Sequence, residues 1–295
     1  MGHNGYRVQL LAPAKAGRIA SGTAISEDAE LYRHYLSSLQ RLRAQSYLQD
    51  GAIEPCQIDD QGRFWMEGDE LSWHFLLIDG QDETIACLRL LLHSNAVRFE
   101  QLRLTHASIA NDPHWSMKLR AAVESDLAEA RRAGMGYAEL GGWAISAEHR
   151  CTKAALETLV ASYAWGQMVG GCLSCCTATV RHRSAMILRR LGGESLSFDG
   201  ETIPPYTDPQ YGCLMEVLRF DSRVVDGRFA HLVKQMRDKL ESSTVIRAGR
   251  SASEEVSEEF SFGQSLLALD AATRRPAPSL DPAKLLSPSD SLRVT

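Results

Sequence analysis

Between Met117 and Phe220 the apolar positions change period five times, and each change marks a new element. Leu119, Val123 and Leu127 recur at helical spacing with charges between them, which predicts a helix over 117–133 that stops at Gly134-Met-Gly136. Tyr137 to Ser146 is short, apolar and aromatic, as a buried strand is, and its paired glycines Gly141-Gly142 predict a bulge or a splay. Ala155, Leu159, Val160 and Tyr163 predict a second helix over 154–168. Cys172 to Thr179 alternates and is rich in small and β-branched residues, so it reads as a strand, and Val180 to Leu191 as a third helix ended by Gly192-Gly193. A turn-rich stretch with Pro204-Pro205 and Asp208-Pro209 leads to a closing strand over 211–220. Strands and helices in alternation predict an α/β fold.

The loop Ala147 to Lys153 lies at a strand-to-helix junction and carries Glu148, His149, Arg150 and Lys153. First-turn amides of a helix lack internal partners and bear partial positive charge, so such a junction binds phosphate. Arg150 and Lys153 add full charges beside the amides of Ala154 and Ala155. Strand, anion loop, helix, strand and helix together form a cradle for a phosphate-bearing donor.

Composition narrows the class. The apolar fraction of 44 % and charged fraction of 23 % are those of a globular domain, and 295 residues suffice for a substantial core. A net charge of -5 gives no global attraction to nucleic acid, so anion recognition is local. No apolar run reaches the length of a transmembrane helix and no secretory signal stands at the start, which makes a cytoplasmic location the expectation. Seven cysteines, an odd number scattered through elements, read as reduced thiols. Cys172, Cys175 and Cys176 cluster, but neighbouring strand residues point to opposite faces, so no metal site is expected. Residues 1–26 lack clear periodicity and are expected to lie loosely on the surface; 27–244 form the folded body. Residues 245–295, rich in Ser, Glu, Ala and Pro, read as a disordered tail with one apolar patch over 260–269.

The Tyr137–Gly193 region resembles the donor-binding half of the GNAT N-acyltransferase superfamily. That family's loop runs Arg or Gln, two residues, Gly, one residue, Gly or Ala; Arg150 and Ala155 match, and Lys153 stands at the first glycine. Upstream pieces resemble the branch of acyl-homoserine-lactone synthases and N-acyl amino acid synthases. Leu31 to Leu48 looks like their N-terminal amphipathic helix, with Arg43 and Tyr47 near its end. Asp69 followed by Trp73 to Ile78 looks like their acidic loop and strand, and Ile85 to Leu91 like the partner strand carrying Arg89. Glu139 aligns with the glutamate opening their Glu-x-Ser-Arg-Phe strand, where this chain has Gly141-Gly142 in place of serine and arginine.

The resemblance implies a GNAT-like three-layer α/β fold, with a mixed, twisted sheet flanked by helices, and transfer of an acyl group from a phosphopantetheine thioester, on acyl carrier protein or coenzyme A, to the amine of an amino acid or similar small amine by direct attack. No permanently bound cofactor is implied. In this reading Glu139 is the base, and amides around Trp143, Ala144 and Ile145 stabilise the oxyanion. Arg150, Lys153, Ala154 and Ala155 hold the donor, and His149 relays a proton or touches phosphate. Arg89, Asp69 and Glu100 handle the acceptor. Arg181, His182, Arg183, Arg189 and Arg190 make the third helix basic, and Arg181 and Arg183 would face an acidic carrier protein. Many GNAT enzymes place a general-acid tyrosine on this helix; the position here is Leu188. Two further readings fit the same residues: a lactone synthase acting on S-adenosylmethionine, and a GNAT-like protein that binds thioesters without turnover.

Overall fold

The computed structural model describes residues 5–14, 23–181 and 183–248. Strands β1 (Arg7–Ala12), β2 (Ala24–Glu27), β3 (Trp73–Ile78), β4 (Thr84–His93), β5 (Gly136–Ile145), β6 (Cys172–Thr179), β7 (Glu194–Ser195), β10 (Tyr206–Asp208), β11 (Cys213–Asp221) and β12 (Thr244–Arg247) form one ten-stranded sheet. Its order is β10-β11-β6-β5-β4-β3-β1-β12-β2, with β7 beside β11, while β8 (Ser197–Phe198) and β9 (Glu201–Thr202) make a separate hairpin. The helices are α1 (Ala29–Gln49), α2 (Ser116–Arg132), α3 (Ala154–Met168), α4 (Ser184–Arg190) and α5 (Ala230–Glu241). The fold is a mixed α/β sheet between helical layers, as the sequence implies.

Pleat parity assigns the layers, because side chains alternate across a strand. Along β3, Leu76 and Ile78 pack with α1 residues Tyr32, Tyr35 and Leu39. Trp73 and Phe75 turn the other way, against Trp165 of α3, with ring centroids 4.8 and 6.2 Å away. The α2 face carries a third cluster that includes Leu119, Val123, Leu173 and Cys175. Cys176 belongs to the cluster on the α3 face, so adjacent thiols are parted by the sheet. No helix among the described residues is long and apolar enough to cross a membrane.

Helix boundaries follow local chemistry. Asp28 caps α1, its carboxylate accepting from the Leu31 amide at 2.9 Å. The helix expected over 180–191 is shorter, because Arg183 adopts φ of +60° and the α-helix starts after it.

Three segments differ from expectation at the sheet's far side. Residues 1–26, expected on the surface, contribute β1, where Leu10, Leu11 and Ala12 are fully buried, and β2. The strand β12 runs across the boundary expected at residue 244 and pairs in parallel with both β1 and β2. Each of these strands has at most six residues, and their partners lie far along the chain, so pairing rather than local periodicity makes them. From residue 249 onward the expected tail, with its patch at 260–269, lies outside the described residues.

Candidate active site

Strands β5 and β6 run parallel and pair only from Gly136↔Cys172 to Glu139↔Cys175. Beyond that point β5 continues to Ile145 and β6 to Thr179, so two strand ends diverge. A cavity of about 290 Å³ opens there, lined by Glu139 to Trp143 on one side and Cys175 to Thr179 on the other. Tyr47, Arg89, Arg103, Tyr206 and Tyr211 complete its walls. The splay expected from the paired glycines is therefore present.

A bulge accompanies it. The β4–β5 register shifts between Cys87, opposite Ala144, and Arg89, opposite Gly141, which leaves one extra residue on β5. Gly142 absorbs it with φ of +59°, and a Cβ there would sit 3.2 Å from both Arg43 Nη1 and Arg89 Cβ. Gly142→Ala is accordingly expected to lose about 1–3 kcal/mol from left-handed backbone alone, read as a lower urea midpoint. Gly141→Ala, whose Cβ would come no nearer than 4.0 Å to Arg89 Nη2, is the control expected to fold normally. Equal midpoints for the two variants would refute this account of the bulge.

Behind the glycines lies a buried ionic cluster. Arg43 reaches from α1 to Asp69 with both terminal nitrogens, Nη1 donating to Oδ1 at 2.9 Å and Nη2 to Oδ2. Gln40 Nε2 donates to the same carboxylate at 3.1 Å, and Arg89 Nη1 stands 3.5 Å from it. Burial by itself would raise the Asp69 carboxyl, but the Arg43 guanidinium overrides it and holds the group well below the usual carboxylate range. His74 donates from Nε2 to the Asp69 carbonyl at 2.7 Å, and burial pushes its imidazole down to about 4, so it is neutral. Two guanidiniums thus share one buried carboxylate. Asp69 is absent from the cavity wall and acts by fixing Arg43 and Arg89.

Glu139 is 7 % exposed and faces the cavity with three donors already on its carboxylate. They are His93 Nε2 at 2.9 Å, the Arg103 amide at 3.0 Å and the Leu104 amide at 2.8 Å. Burial raises its pKa and these hydrogen bonds more than offset the rise, so Glu139 is ionised. A carboxylate offers about four acceptor positions, which leaves one for a further donor such as an ammonium.

The expected donor cations take unequal places. Arg150 Nη1 pairs with Asp50 at 2.9 Å and its Nη2 donates to Ser46 Oγ at 3.1 Å. Arg181, on the cavity wall, donates to the Asp50 carbonyl at 2.7 Å. Both therefore converge on the C-terminus of α1. Lys153 and Arg183 are exposed, at the starts of α3 and α4. Ala154 is fully buried against Leu77, Ile85 and Ala86, while Ala155 is half-buried. The Ala154 amide is taken by Thr152 Oγ1 at 3.2 Å, and His149 is occupied locally by Ser146 Oγ at 2.8 Å. Trp143 lines the cavity; Ala144 and Ile145 pair with Cys87 and Ala86. Glu100 lies on the surface, paired with Arg120, and does not line the cavity; an acceptor role would require a different arrangement.

His93 and Arg103 are site residues that the sequence reading did not reach. A strand alignment could have found His93: Leu91 lies opposite Glu139, and His93 is the same-face diagonal neighbour. Arg103 had no such signal, because residues 99–111 fold into successive 3₁₀ turns without a period.

No family model matches the chain, and no curated protein matches it in sequence. Among solved structures it is similar to BjaI, a CoA-dependent acyl-homoserine lactone synthase, at 12 % identity over 83 % of this chain and 94 % of that one, with a TM-score of 0.49. It is similar to MesI, also a CoA-dependent acyl-homoserine lactone synthase, at 13 % identity over 82 % and 99 %, TM-score 0.47. A third is FeeM, an N-acyl amino acid synthase from uncultured soil microbes, at 14 % identity over 73 % and 89 %, TM-score 0.42. These are similarities of fold at low identity and they assign no substrate.

Proposed function

We propose that the protein is an N-acyltransferase that moves an acyl group from a phosphopantetheine thioester to the amine of an amino acid or similar small amine. The observation that carries this reading is the cavity in the β5–β6 divergence, with an ionised carboxylate on its wall. A splayed strand offers backbone groups to an extended amide chain such as pantetheine, in the manner of strand addition. The thioester carbonyl would then lie by the bulged backbone near Trp143, whose amide would donate to the developing oxyanion, while Ala144 and Ile145, paired in the β4–β5 ladder, hold that backbone in place.

Glu139 orients the acceptor ammonium through its remaining acceptor position and takes its proton, with His93 holding the carboxylate in place. The free amine forms the C–N bond, the C–S bond breaks, the departing thiolate takes the proton that the new amide nitrogen sheds, and Glu139 returns the ammonium's proton to solvent. Arg150, Lys153, Arg181, Arg183 and the α3 N-terminus, with Ala154 and Ala155, supply the positive surface for the donor's phosphates. Arg181 and Arg183 would also meet an acidic carrier protein.

Incubation with decanoyl-CoA or decanoyl-carrier protein and an amino acid mixture should release thiol and yield N-decanoyl products detectable by mass spectrometry. Absence of both across the amine panel, with either donor, would overturn the reading. Lactone formed only with S-adenosylmethionine would identify a lactone synthase instead, and donor binding without turnover a thioester-binding protein.

A further inference from the structure

We propose that Arg103 is a specificity-determining residue: together with Arg89 it forms a two-guanidinium clamp for the carboxylate of the acceptor. This rests on the acyltransferase reading. The two arginines come from different elements, β4 and the 3₁₀ segment, yet both donate to one backbone oxygen. Arg89 Nη1 reaches the Glu67 carbonyl at 2.8 Å and Arg103 Nη1 reaches it at 2.9 Å. Both line the cavity. Arg89 is 3 % exposed, its Nε is buried without a partner, and its Nη2 makes no hydrogen bond among the described residues. Arg89 shares its counter-ion Asp69 with Arg43, so it has no carboxylate to itself.

Arg103 already holds a carboxylate. Its Nη1 lies 2.9 Å from Oε2 of Glu67, a side chain 59 % exposed at the surface. An exposed ion pair of this kind is weak and readily exchanged, so Glu67 occupies the position that a substrate carboxylate would take. The same arginine also reaches the other end of the acceptor, because its backbone amide is one of the three donors on Glu139. Carboxylate recognition at the guanidinium and ammonium recognition at Glu139 are thereby held in register by one residue. Gly142, where the family strand carries arginine, leaves room for no side chain, and Arg103 brings a guanidinium to this wall from another segment.

The test uses calorimetry with N-decanoylglycine and its carboxamide, a pair that differs only in the carboxylate, on the full chain and its Arg103→Gln, Arg103→Lys and Glu67→Gln variants. Wild-type protein should bind the carboxylate more tightly, and Arg103→Gln should weaken that ligand roughly 10- to 100-fold while leaving the carboxamide unchanged. Arg103→Lys, which keeps the charge but not the fork, should fall between. Glu67→Gln should tighten carboxylate binding roughly two- to fivefold, because the competing ion is gone. Equal weakening of both ligands by Arg103→Gln, an intact preference in that variant, or no binding of either ligand by wild type would each overturn the assignment. Carboxylate-selective binding without acyl transfer would remove the acyltransferase reading and leave the clamp. Transfer without carboxylate preference would do the reverse.

Discussion

Asp69→Ala should destabilise the protein by about 3–5 kcal/mol, the range for breaking one partner out of a buried ion pair. The carboxylate and both the Arg43 and Arg89 side chains are almost wholly removed from solvent. Its loss strands the fully buried Arg43 guanidinium, takes a counter-ion from Arg89 at the cavity wall, and leaves the Gln40 amide without its acceptor. Urea denaturation monitored by tryptophan fluorescence measures the change, Trp73 and Trp165 lying in contact in the core. Asp69→Asn, which keeps the shape and one acceptor, should lose less. A midpoint for Asp69→Ala equal to wild type would mean that the cluster contributes nothing to folding.

Glu139→Gln carries the largest expected effect on activity, a fall in kcat/KM of about 10²- to 10⁴-fold, the usual contribution of a positioned acid or base. The neutral amide has one oxygen where the carboxylate has two. It cannot accept from His93 Nε2, the Arg103 amide and the Leu104 amide and also orient an ammonium. One amide is left unsatisfied, which should cost about 1–3 kcal/mol of stability as well. Donor binding separates the two effects: a folded variant that binds decanoyl-CoA normally but transfers poorly supports the assigned role. Near wild-type transfer would reduce Glu139 to an anchor for the 3₁₀ segment.

These two residues illustrate how differently a site can be read from sequence. Glu139 was singled out because it stands in a strand with a strong local pattern and aligns with a position in the family that the sequence resembles, and the structure places it on the cavity wall. Asp69 was expected to handle the acceptor, and its place as a buried counter-ion off the cavity wall was not legible, since that depends on a helix 26 positions upstream. Arg150 stood in a loop where phosphate contact explained its charge, and the structure adds its bonds to Asp50 and Ser46, about 100 positions away. Arg103 was invisible, lying in turns without a period. Charge and position along the chain do not specify which partner a long side chain finds.

Local sequence accounts for the elements from α2 to β6, the glycine-borne bulge, the helix starting at Ala154 and the separation of adjacent thiols across the sheet. Each of these follows from side-chain periodicity or from glycine's access to positive φ, both properties of a few consecutive residues. Tertiary structure alone decided that residues 7–12 and 244–247 are neighbouring strands, that Arg43 and Arg89 share Asp69, and that Arg89 and Arg103 meet at Glu67. Those are pairings between distant segments, and their free energy comes from desolvated charge and from backbone hydrogen bonds that exist only after the chain has closed on itself.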